Sequence, residues 1–375
     1  MTYLGERVVD LGSPYDLAGT LGVLQRGHGD PAIRLAEQRA WMCQRMYDAV
    51  GTELGAVTYR FDQVSASEVR VQIAADSAEA LESALDRSPT ILGSEDDWTE
   101  LELLLDALGD RISTTLAQVR RRHPGVRLPA TGALFDQLVT VTLEQKVTHE
   151  QARYSWRNLL RKYGDRPPGW VSCEQSDAAT SGAKAAAMRP RAVPDGGRDV
   201  GDSYKQSAVC ADHVGVCAPV GPALRLPLSP TQLKAVPSWE WHRLWVQPSL
   251  SKTVLRLAER AHSIHRLGAA TTVDAFEVGE LAEQLIAIPG IGQWTVAEAL
   301  QRSHGAADLP AVGDYHLAHF VGEALTGQRT DDAGMLRLLE PFAPHRQRII
   351  RLLLLSGFRM SRLGPRLTPE DHRER

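Results

Sequence analysis

The stretch Ile288-Pro-Gly-Ile-Gly-Gln-Trp-Thr-Val-Ala297 constrains this chain more than any other. It lies between Leu281–Ala287 and Trp294–Ser303, two segments whose apolar residues recur at helical spacing. Pro289 ends the first helix, because proline lacks an N–H and its ring clashes with the preceding turn. Gly290 and Gly292 permit backbone angles that a side chain forbids, and they leave the turn uncovered. The N–H groups of the hairpin and of the next helix's first turn, Ile291, Gln293 and Thr295 among them, then have no partner within a helix. Such a surface binds an anion, and a DNA phosphate is a ready candidate. Contacts of that kind position DNA without reading its sequence. An ordinary Gly-Pro turn between two helices accounts for the same residues, and the motif by itself favours that reading.

The chain has 375 residues, long for one core, so two or three domains are expected. Residues 1–122 read as an α+β domain. In it Ala56–Phe61 and Val69–Ala74 are expected strands, and Ser77–Asp86 an expected helix. Asp30–Val50 also reads as a helix, with Asp30 and Pro31 as its N-cap and first residue. Residues 123–165 and 222–362 read as one all-α domain. Its predicted helices are the segment carrying Leu134, Leu138, Val141 and Thr142, then Thr148–Tyr163, Thr231–Ala235, Lys252–His265, the two flanking the hairpin, Leu317–Leu325, Ala333–Leu339 and His345–Leu355. Between the two halves of that domain, residues 166–221 are rich in Ala, Gly, Ser, Asp and Pro and read as a disordered insertion. Residues 363–375 read as a polar tail.

Several classes are excluded or weakened. No apolar run approaches the ~20 residues that span a bilayer, and the N-terminal residues have no signal-peptide pattern. A cytosolic protein with no membrane partner is the expectation. Cys43, Cys173, Cys210 and Cys217 are too sparse and irregular for a disulfide scaffold. Cys210, His213 and Cys217 suggest a metal site only weakly, since a closed zinc site needs a fourth ligand. The net charge of −4 does not announce a nucleic-acid binder. Its distribution leaves the question open: Arg346, Arg348, Arg351, Arg359, Arg362 and Arg366 run without an intervening acid. That row is either a DNA-facing surface or a solvated helix face.

An aspartate follows the hairpin, in Val312-Gly-Asp-Tyr-His316 at the start of the next predicted helix. On its own, Asp314 is either a helix cap or a carboxylate placed for chemistry, where helix-start donors favour the charged form. With the hairpin it makes Leu281–Leu317 similar to the helix-hairpin-helix–Gly/Pro…Asp superfamily of DNA glycosylases. Within that superfamily the resemblance is strongest to the DNA-3-methyladenine glycosylase II group. Phe135–Gln145 resembles the helix before the group's Gln-rich loop. Pro14-Tyr-Asp-Leu17, Asp30-Pro31 and Leu92-Gly-Ser-Glu-Asp-Asp97 resemble its N-terminal α+β domain. The matches touch most of the chain outside residues 166–221.

The resemblance implies roles for particular residues. Asp314 matches the catalytic aspartate, which stabilises the positive charge developing on deoxyribose as the N-glycosidic bond breaks. The base must leave the duplex first. The loop position that fills the gap falls on Lys146, a poor intercalator suited to a phosphate contact, and Gln145 is left to probe the vacated pair. Trp294 and Tyr315 match residues of the base pocket, where an aromatic ring stacks on an electron-poor base. Other aromatic positions of that pocket fall on Val23, Glu298 and Leu354, so a wider and more polar pocket is expected, with Glu298 accepting a hydrogen bond or meeting a cationic base. Strand-cleaving relatives carry a lysine where this chain has Trp294, so no Schiff base is expected. No cysteine follows Asp314, so no iron-sulfur cluster is expected. A structural Na⁺ or K⁺ held by the carbonyls of Ile286, Ile288 and Ile291 is implied by resemblance alone, and no cofactor is required. The implied protein is a monomeric, monofunctional glycosylase acting on double-stranded DNA with a modified base, an alkylated purine for choice, in the cytoplasm and on the nucleoid. The alternatives are a glycosylase for an oxidised or bulky base, in repair or in defence against foreign DNA, and a non-catalytic DNA-binding protein.

Overall fold

A computed structural model describes residues 2–169 and 223–360, which belong to one compact unit. The proposed insertion from residue 170 onward, the polar tail, and Cys173, Cys210 and Cys217 lie outside the described residues.

Five strands form one antiparallel sheet: β1 (Tyr3–Asp10), β2 (Ile33–Ala36), β3 (Arg39–Tyr47), β4 (Glu53–Gln63) and β5 (Glu68–Ala75), in the order β1-β5-β4-β3-β2. Helix α1 (Leu17–Leu21) and a 3-10 turn, Gly22–Leu24, lie between β1 and β2. Helix α2 (Ala78–Ile91) follows β5, capped by Ser77, whose hydroxyl accepts from the Ala80 N–H. Helices α3 (Thr99–Leu108) and α4 (Arg111–Arg122) come next, then α5 (Leu134–Thr142) and α6 (His149–Tyr163). After the undescribed segment the chain is helical throughout: α7 (Pro230–Ala235), α8 (Ser238–Arg243), α9 (Pro248–Glu259), α10 (Ala261–Ala270), α11 (Ala275–Ile286), α12 (Gln293–Ser303), α13 (Leu317–Thr326), α14 (Asp332–Leu339) and α15 (Arg346–Leu355).

The expected α+β region followed by helices is present, with two corrections. Asp30–Val50 is not a helix but the hairpin β2–β3, paired from Ile33 with Met42 to Ala36 with Arg39. The Asp30 carboxylate that suggested an N-cap instead ties a loop: it accepts from the N–H of Arg26 at 2.7 Å, the N–H of Ala32 at 3.0 Å and Trp156 Nε1 at 3.0 Å. The strand's alternation is hidden because both faces of β3 are covered. Ala40, Met42 and Met46 face the core that β4, β5 and α2 share, while Cys43 packs with the helical core of α5, α6 and α9. A sheet buried on both sides loses the apolar–polar period that identifies a strand. The predicted helix Lys252–His265 is two helices, α9 and α10, divided at Arg260.

A third core joins α3 and α4 to α13, α14 and α15. Residues 99–122 therefore bury their apolar faces against the chain's last helices. The arginine row on α15 secures this arrangement. Arg346 pairs with Asp308 at 2.6 Å, Arg348 donates from Nε to Asp96 at 3.0 Å, and Arg351 donates to the Gly19 carbonyl. Arg348 and Arg351 tie α15 to the N-terminal half, and the partly exposed Arg346 ties it to the loop after α12. Among the described residues no helix is long and apolar enough to cross a membrane.

One buried acid bears on stability. Asp136 on α5 is 8 % exposed, and burial pushes its carboxyl up to about 7, with Arg45 partly opposing the shift. An unfolded aspartate titrates at about 3.9. Between those values the folded chain holds a proton that the unfolded chain has released, so stability falls as pH rises through that window. Asp136→Asn, which cannot ionise, is expected to raise stability at pH 8 by on the order of 4 kcal/mol at most, with the gain vanishing near pH 4. Urea midpoints at the two pH values measure this; a variant no more stable than the parent at pH 8 would contradict it.

Candidate active site

The hairpin forms as its residues dictate, with one division of labour between its glycines. Gly290 has φ +94°, a left-handed angle, and a Cβ there would stand 2.4 Å from Thr253 Oγ1 on α9. Gly292 has φ −111°, which any residue adopts, and nothing lies within 4 Å of its would-be Cβ. Gly290 is needed for the turn; Gly292 leaves open space before α12. The flanking Ile288 and Ile291 are buried anchors, and the Ile291 N–H donates to the Ile288 carbonyl at 3.0 Å. No side chain caps α12 at Gly292, so its first N–H groups face outward beside exposed Pro289, Gly290, Gly292 and Gln293. Lys252 and Arg256, exposed on α9, add positive charge beside that surface, and Arg256 Nη1 approaches the Pro289 carbonyl at 3.5 Å.

Gln145 does not stand free in its loop. Its amide nitrogen donates to the Gly290 carbonyl at 3.0 Å and to Thr295 Oγ1 at 2.8 Å. That uses both amide hydrogens, so Gln145 holds the hairpin against the end of α5. The Thr295 hydroxyl is buried by the same contact and is not a phosphate ligand. The neighbouring Lys146 is exposed and left-handed, with φ 53°. Lys146 thus lies exposed one residue beyond the Gln145 that bonds the hairpin. Gln145→Ala is expected to weaken duplex binding about tenfold, because it frees the hairpin and leaves the buried Thr295 hydroxyl unpaired, a loss of about 1–3 kcal/mol. Titration against a fluorescent duplex measures this, and unchanged affinity would contradict it.

Asp314 lies three residues ahead of α13, not at its first position. Its Oδ1 accepts from the N–H groups of His316 and Leu317, each at 2.8 Å. Its Oδ2 accepts from Trp294 Nε1 at 3.2 Å. The carboxylate therefore does both things the sequence allowed: one oxygen caps the entry to α13, and the other is held facing α12. Gly313, with φ +91°, makes the turn that brings it there, and the Gly313 N–H is anchored on Asp332 at 3.1 Å. Trp294, half-buried, packs its ring on the helical core while its indole N–H orients Asp314.

The remaining predicted pocket residues divide. Tyr315 is 76 % exposed, its ring edge-on to His316, and it projects into solvent beside the aspartate. Leu354 is half-exposed on α15. Glu298 follows Trp294 by one helical turn and is ion-paired with Arg302 at 2.8 Å. Val23 enters through its backbone, since its carbonyl accepts from Arg302 Nε at 2.9 Å. Close by, Arg26 pairs with Glu144 at 3.0 Å. Burial first, and then the charge of Arg302, hold the Arg26 guanidinium below its ordinary range. Arg26 and Arg302 are site residues that the sequence reading missed. Glu298 and Arg302 at i and i+4 are a legible helical ion pair; nothing local points to Arg26. Among the described residues no cluster of His, Cys, Asp and Glu could hold a metal ion.

The five-stranded antiparallel sheet and the helical remainder share their fold with solved DNA glycosylases. Three solved structures carry that comparison. The 3-methyladenine DNA-glycosylase from Archaeoglobus fulgidus superposes with a TM-score of 0.61 at 13 % identity, over 94 % of this chain and 98 % of that one. The Clostridium acetobutylicum 8-oxoguanine glycosylase/lyase gives 0.51 at 9 % identity in complex with double-stranded DNA, over 93 % and 96 % of the two chains. Its apo form gives 0.54 at 9 % identity, over 95 % and 99 %. At such identities the likeness is one of fold. No protein-family model matches the chain, and no curated protein matches it.

Proposed function

We propose that this chain is a monofunctional DNA glycosylase, which flips a modified base out of duplex DNA and hydrolyses its N-glycosidic bond. The observation that carries this reading is the Asp314 carboxylate. One oxygen is fixed by two backbone N–H groups and the other is oriented by the indole of Trp294, 20 residues earlier in the first turn after an uncapped hairpin. A carboxylate held in place stabilises an oxocarbenium-like sugar without reorganising, and it can orient the attacking water. The hairpin and the start of α12 supply the phosphate seat that brings the sugar to it. Lys146, projecting from the loop that Gln145 locks down, is placed to meet the backbone or the gap left by the flipped base.

The absence of lyase chemistry rests on Trp294. The position that a Schiff-base lysine would take is an indole that hydrogen-bonds the aspartate. The same reading includes a monovalent cation at the hairpin. The Ile288 carbonyl has one lone pair engaged by the Ile291 N–H and a second free for an ion, which the carbonyls of Ile286 and Ile291 would share. Such an ion would stiffen the turn and add positive charge beneath a phosphate.

The experiment is a labelled duplex carrying one modified base. The expected product is an intact strand that breaks only after hot alkali, with no adduct trapped by borohydride. A borohydride-trapped adduct would show an amine nucleophile and end the monofunctional reading. Within this function, the choice between a cationic alkylated purine and a neutral modified base falls to the wall beside Trp294, because the aspartate serves both.

A further inference from the structure

The face of α12 that begins at Trp294 continues through Glu298 and Arg302. Each step is one helical turn, about 6 Å of rise. Helical side chains lean toward the N-terminus, and Arg302 does so. Its Nη1 donates to both the Glu298 carbonyl, at 2.7 Å, and Glu298 Oε2, at 2.8 Å. The guanidinium thus sits beside Glu298, on the face of α12 that also carries the indole orienting Asp314. Its Nε is fixed on the Val23 carbonyl. Its Nη2 has no acceptor among the described residues, and unlike Arg351 Nε it is not sealed from solvent. The neighbouring carboxylates are already engaged: Glu298 by Arg302, Glu144 by Arg26.

We infer that this wall selects a neutral base bearing carbonyl oxygens over a positively charged alkylated purine. The inference rests on the glycosylase reading and narrows its substrate. A guanidinium offers donors, no acceptor and a positive charge, so Arg302 Nη2 can bind the exocyclic oxygen of a neutral base, while a cationic ring bearing the same oxygen is repelled. A cationic base would lose hydration and find no unpaired carboxylate on the wall to replace it. The aromatic surface that would otherwise hold a cation is thin here: Trp294 remains, while Tyr315 stands in solvent and Val23, Glu298 and Leu354 are not aromatic.

Single-turnover release from duplexes carrying 7-methylguanine (cationic), 8-oxoguanine or hypoxanthine (both neutral) tests this. The full-length protein is expected to release at least one neutral base about tenfold or more faster than 7-methylguanine, about 1.4 kcal/mol of discrimination. Arg302→Gln, which leaves Glu298 unpaired, should lower that ratio about tenfold; Glu298→Gln should hold or raise it. The ratio, unlike either rate, is not moved by a general loss of structure, and the parent and Glu298→Gln decide the matter if Arg302→Gln does not fold. Equal or faster release of 7-methylguanine, or a ratio that ignores both substitutions, overturns the inference while leaving the glycosylase intact. No release from any duplex overturns the glycosylase reading as well.

Discussion

Asp314→Asn is expected to slow base release at least ~10²-fold while leaving duplex affinity unchanged. The asparagine carbonyl can still accept from His316 and Leu317 N–H, the two bonds that the aspartate makes at 2.8 Å, so the entry to α13 survives. What is lost is the negative charge opposite a sugar that becomes positive in the transition state. The amide also turns its NH₂ toward Trp294 Nε1, replacing an acceptor by a donor at 3.2 Å. That mismatch costs about 1 kcal/mol of stability, too little to unfold the chain. Because the hairpin N–H groups and the Asp314 carboxylate are different groups, binding and chemistry should separate. Release rates and duplex affinity measured on one preparation check this. Release that survives the substitution would remove Asp314 from its role; affinity that falls with rate would make Asp314 a structural residue.

Gly290→Ala is expected to have the largest effect on stability, with a loss of about 2–4 kcal/mol from a left-handed angle and an overpacked contact together. The left-handed angle is only part of it. The new methyl would meet Thr253 Oγ1 at 2.4 Å, and Thr253 is a buried residue whose hydroxyl donates to the Ser249 carbonyl, so it cannot swing away cheaply. Moving the turn also shifts the carbonyl that Gln145 holds. Gly292→Ala is the matched control, with an ordinary φ of −111° and open space around it. At the N-cap, where alanine is less favourable than glycine, that change should cost no more than about 1 kcal/mol. Denaturant midpoints of the two variants check the contrast, and duplex affinity should fall with Gly290→Ala alone. Equal stability in both would mean that the turn is not held by α9.

The legibility of this chain followed the range of the signals. The hairpin, α2, α5, α6 and most of the later helices carry their information locally, in caps, periods and breakers, and they were readable. The β2–β3 hairpin was not, because Ala40 and Met42 meet one core and Cys43 another, so the alternation that marks a strand is missing. Asp30 looked like a cap because aspartate before proline usually is one; its true partners, Arg26, Ala32 and Trp156, come from three elements. In the site, Asp314 and Trp294 were found from the motif, and the structure joins them through one hydrogen bond. Of the positions that the resemblance assigns to a base pocket, Tyr315 stands in solvent, Glu298 is paired with Arg302, and the Val23 carbonyl accepts from Arg302, contacts that no local pattern announces. The arginine row of α15 shows the limit of charge counting. Three of its members are internal ties, and only their partners, Asp308, Asp96 and Gly19, could reveal that.

We propose that the chain removes bases from DNA by hydrolysis at Asp314. The most direct test is mass spectrometry of the free bases released from duplexes carrying single modified bases, with Asp314→Asn in parallel. The account predicts one or more free bases in stoichiometric balance with abasic sites, at least ~10²-fold fewer from the variant, and strands intact until alkali. Free base in equal amounts from both proteins, or none from any modified duplex that the protein nevertheless binds, would contradict it.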